Sequence, residues 1–292
     1  MHLPNSFGLL SGLRDSAPAF MRSVEFRVVE TMEEFRTASH LIYTEYLKRN
    51  YLLPNSTQLK LSLHQVLPTT TTFIARHPRS GIIGTITLVA DSPLGLPMDE
   101  VYKAELDELR AQRLQLAEAT MLALDTSLFG RGVFTMFHAK KLLLTLRLFK
   151  VMFDYLRCST ATDELVACFN PKHKILYDFL QLKPLGNLKM YTGANGNPAI
   201  AQHLNISETQ RRAKSAAPYT LFYGHAPSPK MFVKKLGFTA QDLRTLFMEE
   251  TRLLASASPT ERHYIQSCYP EYDVNVILKT LPPITPSPLQ KL

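Results

Sequence analysis

The stretch NPKHKILYDFLQL (170–182) directly follows DELVACF (163–169). The first of these, in chain order, is an apolar run of strand length, and the second reads as a helix over 171–181 that carries Tyr177 seven residues after Asn170. A buried strand leading straight into a helix is half of a layered α/β unit. Outward from it, the rest of the chain supplies the other layers. A strand at 24–29 is followed by Thr31 and Glu34 in capping-box spacing, opening a helix that runs to about Arg49. TTFIAR and IIGTITLVAD, separated by HPRSG, read as a hairpin. After DSPLGLPMDE comes an acidic helix ending near Arg113, then a strand over 118–125, a turn bounded by Gly130 and Gly132, and a long helix over 134–156. Strands near 185–191 and 199–206 close the run. The hairpin forces part of the sheet to be antiparallel, so the expectation is a mixed α/β sheet with helices on both faces. The chain divides into an N-terminal extension (1–22), this domain (23–206), a helical C-terminal subdomain (207–280) and a Pro-rich tail (281–292).

At 292 residues and 45% apolar content, the chain has enough material for a large core. Cys158, Cys168 and Cys268 form neither a disulfide framework nor a zinc pattern, which points to a reducing compartment. The N-terminus lacks a basic segment and a sustained apolar run, and no stretch is long and apolar enough to span a bilayer, so a cytoplasmic location without an integral membrane segment is expected. The nine histidines show neither H-x3-H nor HExxH spacing, so no metal site is expected.

The net charge of +8 is unevenly spread. Six Lys/Arg stand against one acid between Arg131 and Arg157, whereas 99–108 holds five acids and one lysine. No helix-turn-helix, finger or RNP signature accompanies the basic residues, and they are not interleaved with exposed-looking aromatics, so nucleic acid is not the expected partner. An acidic protein fits the pattern.

The stretch GTITLVADSPLGLPMDEVYKAELDELRAQRLQLAEATMLALD (84–125) resembles the N-acyl amino acid synthase family, relatives of the autoinducer (acyl-homoserine lactone) synthases. Asp91, Ser92, Gly95, Leu96, Pro97, Leu109, Arg110, Arg113, Glu118 and Asp125 carry the likeness. Asn170 and Tyr177 resemble the N-x6-Y segment that closes the thioester site in the GNAT superfamily. The resemblance spans roughly 24–206 and implies a GNAT-like, mostly antiparallel sheet. It also implies a bacterial enzyme moving a long-chain fatty acyl group from acyl carrier protein to an amino acid amine, with tyrosine among the acceptors. The donor substrate would be an acyl-phosphopantetheine thioester, with no permanently bound cofactor. Two positions depart from the pattern. Glu118 is followed by Ala119, Thr120 and Met121 where autoinducer synthases carry Glu-x-Ser-Arg, which argues against lactone formation. Gln181 and Leu182 replace a Gly-Phe pair.

Aminolysis of a thioester needs a base, oxyanion donors and a proton for the leaving thiolate. Glu118 heads an apolar strand where burial would raise its pKa toward that of a base, unless it pairs with Arg110 or Arg113. Tyr177 is the candidate donor to the thiolate. Backbone N–H groups near Leu122 and Leu124 are candidate oxyanion donors if the strand bulges there, and Thr120 keeps a hydroxyl beside them. Arg110 and Arg113 are candidates to grip the acceptor carboxylate, and Cys168 reads as a core residue. Gly130, Arg131 and Gly132, with Lys140, Arg147 and Lys150 on the next helix, form the expected phosphopantetheine and carrier-protein surface. The rival reading is a GNAT-like protein that binds an acyl thioester without turnover. A further alternative keeps acyl transfer but changes the acceptor to a homoserine lactone precursor or a lipid head group.

Overall fold

The computed structural model describes residues 19–129, 134–212, 222, 227–251, 253–271 and 273. The turn residues Gly130, Arg131 and Gly132, and the Pro-rich tail, lie outside them. Seven strands form one sheet: β1 (Glu25–Val28), β2 (Thr71–His77), β3 (Gly81–Ala90), β4 (Leu116–Leu124), β5 (Glu164–Phe169), β6 (Lys183–Tyr191) and β7 (Asn197–Asn205). Their spatial order is β1-β2-β3-β4-β5-β7-β6, antiparallel at every step except β4 to β5. The mixed sheet expected from the hairpin, and the mostly antiparallel pairing the resemblance implies, are both present. The labelled helices are α1 (Met32–Leu47), α2 (Asp99–Ala111), α3 (Phe134–Ser159), α4 (Lys174–Phe179), α5 (Ile206–Arg212) and α6 (Pro259–Cys268).

Local chemistry explains where these elements begin. The Thr31 side chain accepts from Glu34 N–H and starts α1. The reciprocal half of the expected capping box is redirected, because the Glu34 carboxylate takes Glu30 N–H and the Arg27 guanidinium. Asn170 caps a single 3-10 turn, Pro171–His173, by accepting from Lys172 N–H, and α4 follows only at Lys174. The expected single helix over 171–181 is thus two short pieces.

Two hydrophobic layers hold the sheet. Along α3, Leu144, Leu148, Phe149, Met152 and Phe153 are almost wholly buried at three- and four-residue spacing, the stripe a core-facing helix requires. They pack against Phe73, Ile83 and Ile86 of β2 and β3. On the other face, α1 buries Phe35, Ala38 and Ile42. The C-terminal segment joins this second layer: Leu243, Leu254 and Ile265 are fully buried in the same cluster as α1. Arg36 adds an ion pair to Glu250, at 2.6 Å.

Two irregularities matter for the site. β4 and β5 pair only from Leu116–Glu164 to Glu118–Val166, so the strands part beyond Glu118. On its other side β4 shifts register against β3 between Thr85 and Thr87, leaving Met121 and Leu122 opposite Ile86. Met121 takes φ +55°, so this is the bulge that the sequence could not reveal.

Phe149 is the ring through which α3 meets the parted strands, lying edge-on to Tyr177 at 5.8 Å. Phe149→Ala should cost about 3–5 kcal/mol, read as a lowered urea midpoint with an unchanged denaturant slope.

Candidate active site

Where β4 and β5 separate, the sheet opens into a cavity of about 370 Å³. One wall is β4 from Glu118 to Leu124, and the other is the end of β5 with Cys168, Asn170 and Tyr177. Both candidate catalytic side chains, together with Thr120, Leu122 and Leu124, line this one space.

Glu118 is 2% exposed and meets no arginine among the described residues. Its Oε2 accepts from Met98 N–H at 2.8 Å, and the Thr120 hydroxyl is its other hydrogen-bond partner. Burial dominates and pushes the carboxyl up to about 8, with the charge of Asp99 acting the same way and the two hydrogen bonds opposing it. A carboxyl so placed is a base poised near neutral pH.

The loop bearing Met98 is held by Arg110. Its guanidinium binds Asp91 (2.6 and 3.0 Å), Asp99 (2.6 and 2.7 Å) and Asp107 (2.8 Å). Asp99 in turn accepts from Leu96 N–H at 2.6 Å. Gly95 turns the loop at φ +69°, and a Cβ there would stand 2.5 Å from Asp99 Oδ2. Arg110 is thus committed to three carboxylates outside the cavity, and Arg113 is exposed at φ +61° without lining it. The acceptor-binding role expected for this pair does not match their positions. Arg110 instead fixes the backbone that holds the Glu118 carboxylate.

Tyr177 stacks flat on Phe169 at 3.6 Å, and its hydroxyl makes no hydrogen bond among the described residues. Burial lifts the phenol well above its ordinary range. The hydroxyl therefore stays protonated at any working pH, a hydrogen-bond donor to a thiolate rather than a ready source of its proton. Cys168 also lines the cavity, and burial raises its thiol far above the usual value, which keeps it from being a nucleophile.

The basic stripe expected on the long helix faces elsewhere. With about 100° per residue, Arg147 and Lys150 lie on the side of α3 opposite Lys141 and Thr145, which line the cavity. Arg147 lies over the Phe26 ring at 5.8 Å, Lys150 pairs with Asp154 at 2.5 Å, and Lys140 is half-buried. The cations lining the cavity are Arg49, Lys60 and Lys141, and Lys172 stands against the lining Tyr51 ring at 4.9 Å. Arg49 binds Glu45, whose carboxylate also takes the Thr126 N–H and hydroxyl just after β4. Burial first, then the charges of Lys172, Lys141 and Arg49, holds His173 down to about 4. None of these stood out in the sequence. Lys141 alone left a signal, a lysine at the spacing of the apolar stripe through Leu144 and Leu148.

If Glu118 is the base, kcat/KM should climb with pH along a limb near 8 that Glu118→Gln lacks, and the variant should lose about 10²-fold in kcat. Stability should move oppositely. The folded carboxyl holds its proton more tightly than an unfolded glutamate, so its contribution is present below about pH 4.5 and fades as pH rises toward 8. Chemical denaturation across that window should show wild type, but not Glu118→Gln, losing stability.

The family model described as "N-acyl amino acid synthase FeeM" matches residues 37–205. The solved structure of FeeM, an N-acyl amino acid synthase from uncultured soil microbes, aligns at 28% identity with a TM-score of 0.53, over 64% of this chain and 94% of that one. The acyl-homoserine lactone synthase LasI aligns at 13% identity and 0.47, over 70% and 95%. An N-acetyltransferase from Staphylococcus aureus Mu50 aligns at 12% and 0.40, over 63% and 98%. No curated protein matches the chain.

Proposed function

Because this chain belongs to the N-acyl amino acid synthase FeeM family and is an N-acyltransferase, we propose that it joins a long-chain fatty acyl group, carried as a thioester on acyl carrier protein, to the amine of an amino acid. The observation that carries this reading is the cavity between β4 and β5, with a raised-pKa carboxyl on one wall and an unpaired phenol on the other.

In this mechanism the acceptor amine, once neutral, attacks the thioester carbonyl. Glu118 takes the proton that the nitrogen sheds as the C–N bond forms. The bulge at Met121 and Leu122 is the place where a β4 N–H is released from its ladder to meet the oxyanion. The C–S bond then breaks, and the departing thiolate receives a hydrogen bond from Tyr177 until a proton, returned through Glu118 or solvent, neutralises it. No covalent intermediate on the protein is required.

A carrier-protein donor is supported by one group of cations. Arg49, Lys141 and Lys172 gather around His173, and the exposed apolar side chains Leu142 and Ile175 come one residue after Lys141 and three after Lys172. Cationic and apolar groups together suit an acidic protein that delivers one phosphate. The direct test is mass spectrometry of reactions containing acyl carrier proteins of graded chain length and a mixture of amino acids. A new N-acyl amino acid is expected, and its absence with every donor would overturn the reading.

Reversing Lys141 and Lys172 to Glu should raise KM for the carrier-bound donor about tenfold, more steeply at low salt, because exposed charges are screened over about 8 Å at physiological ionic strength. The same substitution at Arg147, on the far face of α3, should leave KM unchanged. Tyr177→Phe should slow turnover about tenfold or more with little change in melting temperature.

A further inference from the structure

We propose that Lys60, assisted by His64, holds the carboxylate of the acceptor, making a free α-carboxylate the feature by which this enzyme selects its amine. The inference rests on the acyl-transfer reading above and assigns a part of it that Arg110 and Arg113 cannot play.

An amino acid brings its amine and carboxylate one carbon apart, so the cation that receives the carboxylate must lie at the Glu118 end of the cavity. The loop between α1 and β2 supplies it. Lys60 and His64 both line the cavity. Lys60 is half-buried and forms no ion pair within 4.0 Å among the described residues; burial lowers its pKa, and the Glu100 carboxylate acts against that shift. Glu100 stands two residues past Met98, whose N–H holds Glu118. Its carboxylate is itself turned to Gly193 N–H at 2.8 Å, leaving the ammonium without a close partner. His64 Nε2 is buried and has no hydrogen-bond partner of good geometry among the described residues, and burial lowers the imidazole pKa against the opposing effect of the Leu94 and Gly95 backbone and of Glu261 and Asp99, so that the ring stays neutral. A neutral imidazole can offer this nitrogen as an N–H donor. A buried donor left unmatched beside an unpaired ammonium is what an anionic ligand group would complete. Arg49, Lys141 and Lys172 do not compete for the role. Arg49 is already paired with Glu45, which also fastens Thr126 after β4, and Lys141 and Lys172 act with Arg49 on His173.

The backbone that presents Lys60 is anchored independently of its side chain. Lys60 N–H donates to Ser39 O at 3.3 Å, and Asn197 Nδ2 reaches across to Asn50 O at 2.7 Å. Replacing the ammonium should therefore leave the loop in place.

The test compares wild type, Lys60→Met and Lys60→Arg with the twenty protein amino acids and, separately, their α-carboxamides. Turnover is followed with an acyl carrier protein donor, and acceptor binding by calorimetry without donor. Wild type should prefer free acids over carboxamides by about tenfold or more in kcat/KM and in affinity. Lys60→Met should lose that preference by a rise in acceptor KM, with kcat and donor KM within about threefold, and Lys60→Arg should recover part of it. A Lys60→Met enzyme that still discriminates carboxylates, or that loses carboxamides equally, overturns the assignment. Should wild type acylate no amine, the acyl-transfer reading fails, while calorimetry alone still decides whether Lys60 binds a carboxylate.

Discussion

β4 and β5 share hydrogen bonds only from Leu116 to Glu118 and from Glu164 to Val166, and beyond that register a cavity stands between them. Two parallel strands that separate leave backbone groups unpaired, a cost a buried sheet accepts only when something else occupies the gap. Here Tyr177 on Phe169 fills one side, and the bulge at Met121 bends β4 away on the other. Everything assigned to the reaction is hung on this parting: the base at its apex, the phenol on α4 just past the departing strand, and the cations, Lys60 among them, around the cavity it opens.

The apex depends on a second constraint, the loop that brings Met98 N–H to Glu118. Its shape is over-determined by Arg110 on three carboxylates and by Gly95 at positive φ. Removing a guanidinium that joins several partly buried acids leaves those acids facing one another. The loop, and with it the environment of the Glu118 carboxyl, is therefore tied to a residue that never touches the cavity. This accounts for a motif rich in charged residues outside the site it serves.

Much of the architecture was legible because strand and helix periodicities state it locally. Glu118 stood out as an acid on an apolar strand, and Asn170 with Tyr177 by spacing. What escaped detection depends on distance across the fold. Arg110 and Arg113 are reasonable carboxylate ligands until Asp91 and Asp99 are seen to fold back onto Arg110. On α3, one helical step separates Lys140 from Lys141, yet only the latter lines the cavity. Lys60 and His64 sit among leucines in the loop between α1 and β2, and only the three-dimensional path of that loop brings them to the cavity that holds the base.

Cys168 gives the cavity a further property. A thioester admitted between β4 and β5 comes into a space lined by a thiol, and thiol–thioester exchange would strand the acyl group on the protein. That exchange requires a thiolate. Desolvation, together with the negative charges of Glu118 and Glu100, raises the Cys168 pKa and keeps the sulfur protonated. The same dry, acidic surroundings that tune the carboxyl thus protect the enzyme from acylating itself.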